Sequence, residues 1–516
     1  MIKTIDPQSW KPDLSLFREK TKAFYAGELD KGAYKGFSGY YGSYAQRGGK
    51  ANMLRLRMPA GQVTKEKLAF TAGAVEKYKV SRVHFTTCQT IQLHDLGPDT
   101  ASAIMEEALD VGIVTLGGGG DYPRNVMCSP LSGVEKDEFF DVLPWAAAAG
   151  EYLMTFIKAE KMPRKLKVGF SNSKKNVTHA TFRDLGFVAR PDGTFDVYSA
   201  GGLGNQPKFG VKVADAVAPE KILYYIKAMW LTFRTYGNYE NRGKARTRFM
   251  QDALGGPEAY KKAYLEKLDE VLSSGENLTI HPKTESVSKE GDGTTVDHPR
   301  VISQKQPGLY AVAWHPIGGM VDPKLLCTIS QALAKISQAE LRLAPDESAY
   351  IINLTGTEAR QLLELTEESA RTLFETSISC IGATTCQQGL RDSQVLLDSC
   401  IKAVRDAGIP DGALPQIHIS GCPSSCGTHQ IGAIGFRGAA KKVDGSLQPA
   451  FTLYVNGSDR QGEEAMGHEV GVIPENAIPD FLVKLGKTVA ESKTDYEQWS
   501  QSNPDGPDRI ASEFLV

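Results

Sequence analysis

Four cysteines fall into two short pairs. Cys380 and Cys386 have five residues between them; Cys422 and Cys426 have three, in the run Gly421-Cys422-Pro423-Ser424-Ser425-Cys426-Gly427. Four thiolates supplied by two loops can hold a structural zinc or an iron–sulfur cluster. Zinc knuckles usually take two cysteines with two residues between them. The wider spacings, with Pro423 and its flanking glycines, suit a loop that wraps a cubane, so a [4Fe-4S] cluster is favoured over zinc and over four metal-free structural cysteines.

A second set of residues is cationic. Arg55 and Arg57 share one face of an expected strand, and Arg124 follows the turn Gly117-Gly118-Gly119-Gly120. Lys165 and Lys167 share a face of another expected strand, with Arg164 on its opposite side. Each alone reads as a solvated surface residue. Together, beside a metal site, they could line an anion pocket, Arg clamping an oxyanion and Lys supplying charge and a proton. Cys327 and Cys400 sit in apolar, helix-like stretches and read as buried inert thiols. The runs Gly117–Gly120 and Gly201-Gly202-Leu203-Gly204 lack a phosphate-loop pattern in a strand-to-helix setting, so nucleotide binding is rejected. His468 reads as an ordinary loop histidine, and no Ser-His-Asp set or carboxylate pair can be argued.

The chain must position these groups with 516 residues, enough for two or three domains. A net charge of −2 gives no sign of nucleic-acid or anionic-membrane partners. No apolar run approaches the roughly 20 residues of a membrane span, and the first residues lack a basic-then-apolar leader. A cytoplasmic protein is expected, where thiols stay reduced and paired cysteines more often bind metal than form disulfides.

A weak internal repeat organises the chain. The strand and turn Met53-Leu54-Arg55-Leu56-Arg57-Met58-Pro59-Ala60-Gly61-Gln62-Val63, then a helix over 65–78, is matched by Leu309-Tyr310-Ala311-Val312-Ala313-Trp314-His315-Pro316-Ile317-Gly318-Gly319-Met320-Val321, then a helix. The stretches 82–93 and 340–351 both alternate like strands. Farther on, Lys165-Leu166-Lys167-Val168-Gly169-Phe170-Ser171-Asn172 and Leu185-Gly186-Phe187 are echoed by Gln416-Ile417-His418-Ile419-Ser420-Gly421-Cys422 and Ile434-Gly435-Phe436. An α+β chain duplicated about a pseudo-twofold is expected, with a polar linker within 275–304. The repeat is broken in one respect: only the second copy carries the cysteine pairs, and the first has Ser171-Asn172-Ser173-Lys174-Lys175-Asn176 there.

These residues resemble the siroheme-dependent nitrite and sulfite reductase family, over residues 36–485. The two cysteine motifs carry the likeness most specifically. Supporting it are Leu54-Arg55-Leu56-Arg57, Gln89-Thr90-Ile91-Gln92, Arg124-Asn125-Val126, Pro163-Arg164-Lys165-Leu166-Lys167, Gly201-Gly202-Leu203-Gly204 and Tyr236-Gly237-Asn238. The resemblance implies a three-domain, internally duplicated α+β architecture of mixed sheets and flanking helices. Its parts would be a first ferredoxin-like half with an N-terminal extension (1–145), a first siroheme-binding α/β domain (146–300), a second ferredoxin-like half (301–370) and a [4Fe-4S]/siroheme-binding α/β domain (371–516). It implies a [4Fe-4S] cluster on Cys380, Cys386, Cys422 and Cys426, and a siroheme sandwiched between the halves, whose iron shares the Cys426 sulfur. Arg55, Arg124, Lys165 and Lys167 would line its distal face, and His84, Thr87, Gln89, Gln92, Asn125, Arg164 and Ser424 would join Cys426 in binding it.

The implied activity is six-electron reduction of sulfite to sulfide. Nitrite reduction to ammonia is the nearest alternative, with a corrin-pathway enzyme of the same superfamily or a zinc-stabilised binding module behind it. Assimilatory nitrite reductases of the family tend to have Asn where Lys167 stands, and doubly charged sulfite gains more from a further cation than nitrite does. With no flavin or nicotinamide motif, electrons would come from a ferredoxin or a flavoprotein subunit. Two departures stand out: Cys88 and Tyr239 occupy places where the family usually has arginine.

Overall fold

The structure, a computed structural model, describes residues 5–159, 161–284, 286–443 and 445–516. Two compact units divide it: residues 1–202, 207–314 and 321–367 in the first, and 203–206, 315–320 and 368–516 in the second.

The first unit holds most of both copies of the strand–turn–helix repeat, residues 315–320 of the second copy falling in the second unit. In one, the strand Asn52–Arg57 ends at Pro59, and Ala60 and Gly61 then turn the chain at φ +57° and +72°. The short strand Gln62–Val63 and the helix Lys65–Lys77 follow, the helix capped by the Thr64 hydroxyl accepting from the Lys67 N–H. The repeat is followed closely: after Tyr310–Trp314, Gly318 and Gly319 adopt φ +57° and +70°, then come Met320–Val321 and the helix Pro323–Lys335 capped by Asp322. Gln62–Val63 pairs with Leu341 and Arg342 of the other half's sheet. One core joins the halves, including Leu54, Leu56, Ile91 and Leu93 from one and Val312, Leu341, Leu343 and Ile351 from the other.

The stretches read as single strands are each a hairpin. Val83–Phe85 pairs with Thr90–Leu96, and Glu340–Leu343 with Ala349–Leu354. Left-handed residues in the turns, Gln89 at φ +52° and Glu347 at φ +70°, allow the reversal. The polar 275–304 stretch includes the strand Val301–Ser303, paired with 310–312. Lys289 within it bonds Glu358 and the carbonyls of Ser337 and Asn353.

Each unit also carries one mixed sheet. In the first, Met127–Cys128, Val168–Ser171 and Leu185–Ala189 run parallel, and Phe195–Ser199 and Val211–Val217 add antiparallel. In the second, Ile378–Ser379, Ile417–Ser420 and Ile434–Val443 are parallel, followed by antiparallel Ser446–Val455 and His468–Pro474. Val168 faces Leu185 as Ile417 faces Ile434. A Cβ on Gly186 would lie 1.8 Å from the Ala180 carbonyl oxygen, and one on Gly435 1.8 Å from that of His429. The two sheets therefore share their topology, and a close approach only glycine permits. A helix covers each, Leu143–Met154 and Ser393–Asp406. The expected strand through Lys165 and Lys167 begins only at Val168; the lysines lie in an extended lead-in where Leu166 forms a lone parallel bridge with Pro123. No helix of the described residues is long and apolar enough to cross a membrane.

Candidate active site

In the second unit, parallel strand ends present both cysteine loops. The Cys380 N–H donates to the Ile419 carbonyl (3.2 Å), and the loop returns when Leu390 and Arg391 donate to the Gly421 carbonyl (2.9 and 3.0 Å). Cys422 and Cys426 lie on the turn after Ser420, where Ser425 and Thr428 adopt φ +52° and +56°. A Cβ on Gly427 would lie 2.0 Å from the Ile419 carbonyl oxygen.

The sulfurs are met by donors. The Gly421 N–H points to Cys380 Sγ at 3.2 Å and the Gln388 N–H to Cys386 Sγ at 3.4 Å, while the Ser393 hydroxyl lies 3.2 Å from Cys380 Sγ. Burial pushes the Cys380 thiol up to about 12, with Cys426 adding to the rise and the Gly421 N–H and Ser393 opposing it. Donors aimed at sulfur favour thiolate and tune a bound cluster. Among the described residues no three His, Cys, Asp or Glu side chains could together hold a single metal ion. What fits an iron–sulfur cluster is the chemistry of the donor set: four thiols on two loops, with N–H and O–H groups aimed at the Cys380 and Cys386 sulfurs.

The first unit repeats this cradle without thiols. The Ser129 N–H donates to Phe170 O as Cys380 does to Ile419 O, Glu135 N–H to Leu131 O as Cys386 to Gly382 O, and Phe139 N–H to Asn172 O as Leu390 to Gly421 O. The Asn172 N–H meets Ser129 Oγ at 3.1 Å. By this register Ser129, Glu135, Ser173 and Val177 stand where the second copy has its four cysteines.

The first unit gathers the cations instead. Arg55 and Arg124 both donate to the Gly118 carbonyl, and Arg124 also to Gly120 O at 2.9 Å. The glycine run thus forms a collar of carbonyls around guanidinium groups; a Cβ on Gly119 would lie 2.4 Å from Gly39 O. With its amide turned to satisfy both neighbours, Gln92 accepts from Arg55 at 2.8 Å and donates to His94. Arg57 is buried, its guanidinium donating to the Pro123, Leu116 and Arg124 carbonyls, so it braces the collar. Lys165 and Lys167 are both half-buried on either side of buried Leu166.

Cys88 lies among these charges. The Lys167 ammonium hydrogen-bonds its sulfur, and Arg183, Arg55 and Arg124 interact with it. Burial raises the Cys88 thiol, but Lys167, Arg183 and Arg55 outweigh it and bring it to about 6. Burial lowers Arg57 to about 9, with repulsion from Arg124 and Arg55 adding to the shift. Burial likewise lowers Arg124 to about 10, Arg55 and Arg164 pushing the same way. Cations held close at such cost can serve as a preorganised receptor for an anion. Arg183, Arg246 and Arg248 extend the cluster. Arg246 pairs with buried Asp184 at 3.0 Å, and Asp184 accepts from the Lys167 N–H at 2.8 Å. None of these was expected; only the alternation Arg246-Thr247-Arg248 hinted at them.

Several expected cofactor contacts are occupied within the protein. Gln89 is fully buried: its amide donates to the Cys128 and Leu343 carbonyls and accepts from the Cys128 N–H. Asn125 donates to the carbonyls of Met58, Cys88 and Gln89. His84 is buried 3.8 Å from the Glu347 carboxylate, and Arg164 pairs with Asp121 at 2.8 Å. Gln89 and the amide donors of Asn125 serve as struts around the Cys88 turn, and Arg164 meets Asp121 beside the glycine collar. Thr87 is half-buried and Ser424 exposed. Tyr239 is exposed, its hydroxyl near the Lys161 and Arg234 carbonyls.

Two family models match the chain: the nitrite and sulphite reductase 4Fe-4S domain over residues 119–271 and the nitrite/sulfite reductase ferredoxin-like half domain over 44–111. Both matches fall on first copies whose second copies the structure displays. A ferredoxin–nitrite reductase of Synechococcus elongatus is 26% identical over 460 residues, covering 84% of this chain and 85% of its own. The NADPH sulfite reductase hemoprotein beta-component of Bacillus pumilus is 25% identical over 503 residues, covering 84% of each. The solved Mycobacterium tuberculosis NirA protein superposes with a TM-score of 0.75 at 22% identity, covering 90% of this chain and 89% of that one, and shares the duplicated α+β fold. Over 44–111 and 119–271, and less closely along most of its length, the chain is thus similar to nitrite and sulfite reductases, enzymes that work with siroheme and a [4Fe-4S] cluster.

Proposed function

We propose that this enzyme reduces sulfite to sulfide, with nitrite as a second substrate. The observation that carries this reading is the meeting of the Arg55 and Arg124 guanidinium groups at the Gly118 carbonyl, in the unit that also holds half-buried Lys165 and Lys167. Lys165 and Lys167 together would give a doubly charged anion more partners than nitrite needs. When bound, the siroheme and the cluster supply an iron that accepts the anion and the path by which electrons reach it. Cys380, Cys386, Cys422 and Cys426 would hold the cluster, and Cys426 would also help hold the siroheme. Thr87, Gln92 and Ser424 remain candidates for the macrocycle's carboxylates. The half-buried lysines are suited to proton delivery, since neighbouring cations ease proton release from an ammonium. Electrons would come from a ferredoxin or a flavoprotein subunit in the cytoplasm.

The test has two arms. Purified protein should show a haem-type band and iron–sulfur absorbance; absence of both would sink the reductase reading. Lys167→Asn should lower the sulfite-to-nitrite ratio of kcat/KM about tenfold, the effect of removing one partly screened charge. An unchanged ratio would refute sulfite preference while leaving the reductase reading intact.

A further inference from the structure

Lys167 stands one residue before Val168–Ser171. On one side this lead-in is held to the segment after the glycine collar: the Leu166 N–H donates to the Tyr122 carbonyl at 3.3 Å, and the Arg124 N–H to the Leu166 carbonyl at 2.8 Å. The backbone of Lys165 and Lys167 is thereby fixed beside that of Arg124, in one cationic basin. On the other side Lys167 is held at both of its backbone groups. Its carbonyl accepts from the Leu185 N–H at 3.2 Å, and its N–H donates to the Asp184 carboxylate at 2.8 Å. A parallel ladder continued backwards from Val168 and Leu185 would have used the Arg183 carbonyl for that second bond. The Arg183 carbonyl accepts from the Gly201 N–H at 2.9 Å instead.

Asp184 is 1% exposed. Both oxygens of its carboxylate lie 3.0 Å from Arg246 Nη2, and one also accepts from the Thr247 hydroxyl. Its own carbonyl accepts from the Ala200 N–H at 2.9 Å. The carboxylate is therefore pinned from a separate loop and cannot swing away from Lys167. Because its charge is matched by Arg246, it steadies the lysine without subtracting from the positive charge that an anion would meet.

We propose that Asp184 is a positioning residue of the anion site: its carboxylate stands in for a ladder carbonyl, fixes the Lys167 backbone and so places the lysine that meets the oxyanion. This rests on the reading that the basin receives the substrate. A lysine side chain has many rotamers, and the protein limits its reach first by fixing where the chain begins.

Asp184→Ala alone would strand the buried Arg246 guanidinium, so the test variants also carry Arg246→Met. In that background Asp184→Asn keeps an acceptor for the Lys167 N–H, and Asp184→Ala removes it. Amide hydrogen exchange of a peptide spanning residues 166–168 is read by mass spectrometry. Beside it, kcat/KM for sulfite is measured on the cofactor-loaded enzyme, with Lys167 present and with Lys167→Ala. The Ala form should exchange about tenfold faster than the Asn form, and its kcat/KM should be about tenfold lower. With Lys167→Ala in both, the two forms should agree in kcat/KM within about twofold. Equal kcat/KM in the Asn and Ala forms while Lys167 is present would overturn the proposal. So would a gap that persists without Lys167, or an Ala form that does not fold where the Asn form does, since Asp184 would then act through the fold at large. Lys167→Ala that leaves the parent's kcat/KM for sulfite unchanged would instead defeat the reading beneath the proposal, and the proposal with it.

Discussion

Replacing Gln89 with leucine separates a strut from a cofactor ligand. The Gln89 side chain is fully buried and makes three hydrogen bonds, two with the Cys128 backbone and one with the Leu343 carbonyl. It thereby ties the hairpin turn before Thr90–Leu96 to the mixed sheet at Cys128 and to the strand Glu340–Leu343. Leucine has similar bulk but leaves three backbone groups without this partner. Each buried group so stranded costs about 1–3 kcal/mol, less where relaxation admits a substitute, giving about 3–6 kcal/mol in all. At about 2–4 °C per kcal/mol for a domain of this size, the first thermal transition should fall by about 6–24 °C. The assay is thermal unfolding by far-UV circular dichroism, with siroheme absorbance per folded protein recorded beside it. Gln89→Glu should be at least as damaging, since a carboxylate would face two carbonyls. A transition within about 1 kcal/mol of the parent, together with lost siroheme, would refute the strut and restore Gln89 as a cofactor contact.

Acid should loosen the first unit through His94. Burial, then the neighbouring His84 and Arg82, pushes this imidazole down to about 3, so between about pH 6.5 and 3 the unfolded chain takes up a proton that the folded one refuses. Stability therefore falls as pH drops through that window by up to about 1.4 kcal/mol per unit; urea midpoints at pH 6.5 and 4.5 should differ accordingly, and His94→Gln should flatten the slope. In the second unit, Gly435→Ala should cost at least about 3 kcal/mol, because its Cβ would meet a backbone carbonyl at 1.8 Å. Gly36→Ala, with nothing within 4 Å, is the control, and soluble yield and melting temperature are the measurements.

Much of this architecture is written in local patterns. The paired kinks at Ala60-Gly61 and Gly318-Gly319, and the helices opening at Thr64 and Asp322, follow from residues a few positions apart. The hairpins were hidden because alternation continues across their turns, and the left-handed positions are held by Gln89 and Glu347 rather than by Gly or Asn. Lys165-Leu166-Lys167 alternates like a strand, yet Pro123 opposite has no N–H to give and only a single bridge forms. The cysteines were legible because metal chemistry fixes both type and spacing. Arg183, Arg246 and Arg248 were not, because they reach the basin from loops with no period, and only the tertiary fold converges them. The same holds for Gln89 and Asn125: sequence marks them as polar residues near the basin, but only packing reveals that backbone groups have already claimed them.

The broken duplication leads to a last expectation, about Cys380. In the first unit the Ser129 hydroxyl accepts the Asn172 N–H at 3.1 Å; in the second, Cys380 Sγ accepts the Gly421 N–H at 3.2 Å, at the matching register of the corresponding sheet. The surrounding backbone bonds are shared as well, and Gly186 and Gly435 make the same close approach. One copy of this cradle therefore holds its shape with an oxygen where the other has sulfur, and with Glu135, Ser173 and Val177 in place of the remaining thiols. The loop fold is set by strand pairing and glycine contacts, and the thiolates are an addition to it. Cys380→Ser should thus remain folded, the serine taking over the Gly421 N–H, with a melting temperature for the second unit no lower than that of the parent stripped of its cluster. It should lose iron–sulfur absorbance, since a serine alkoxide is a poor substitute for thiolate toward iron. Iron content, far-UV circular dichroism and the thermal transition decide the matter together. A variant that keeps the parent's cluster would show that Cys380 is not a ligand; one that fails to fold while the stripped parent stays folded would show that the two cradles are alike in outline but not in what holds them.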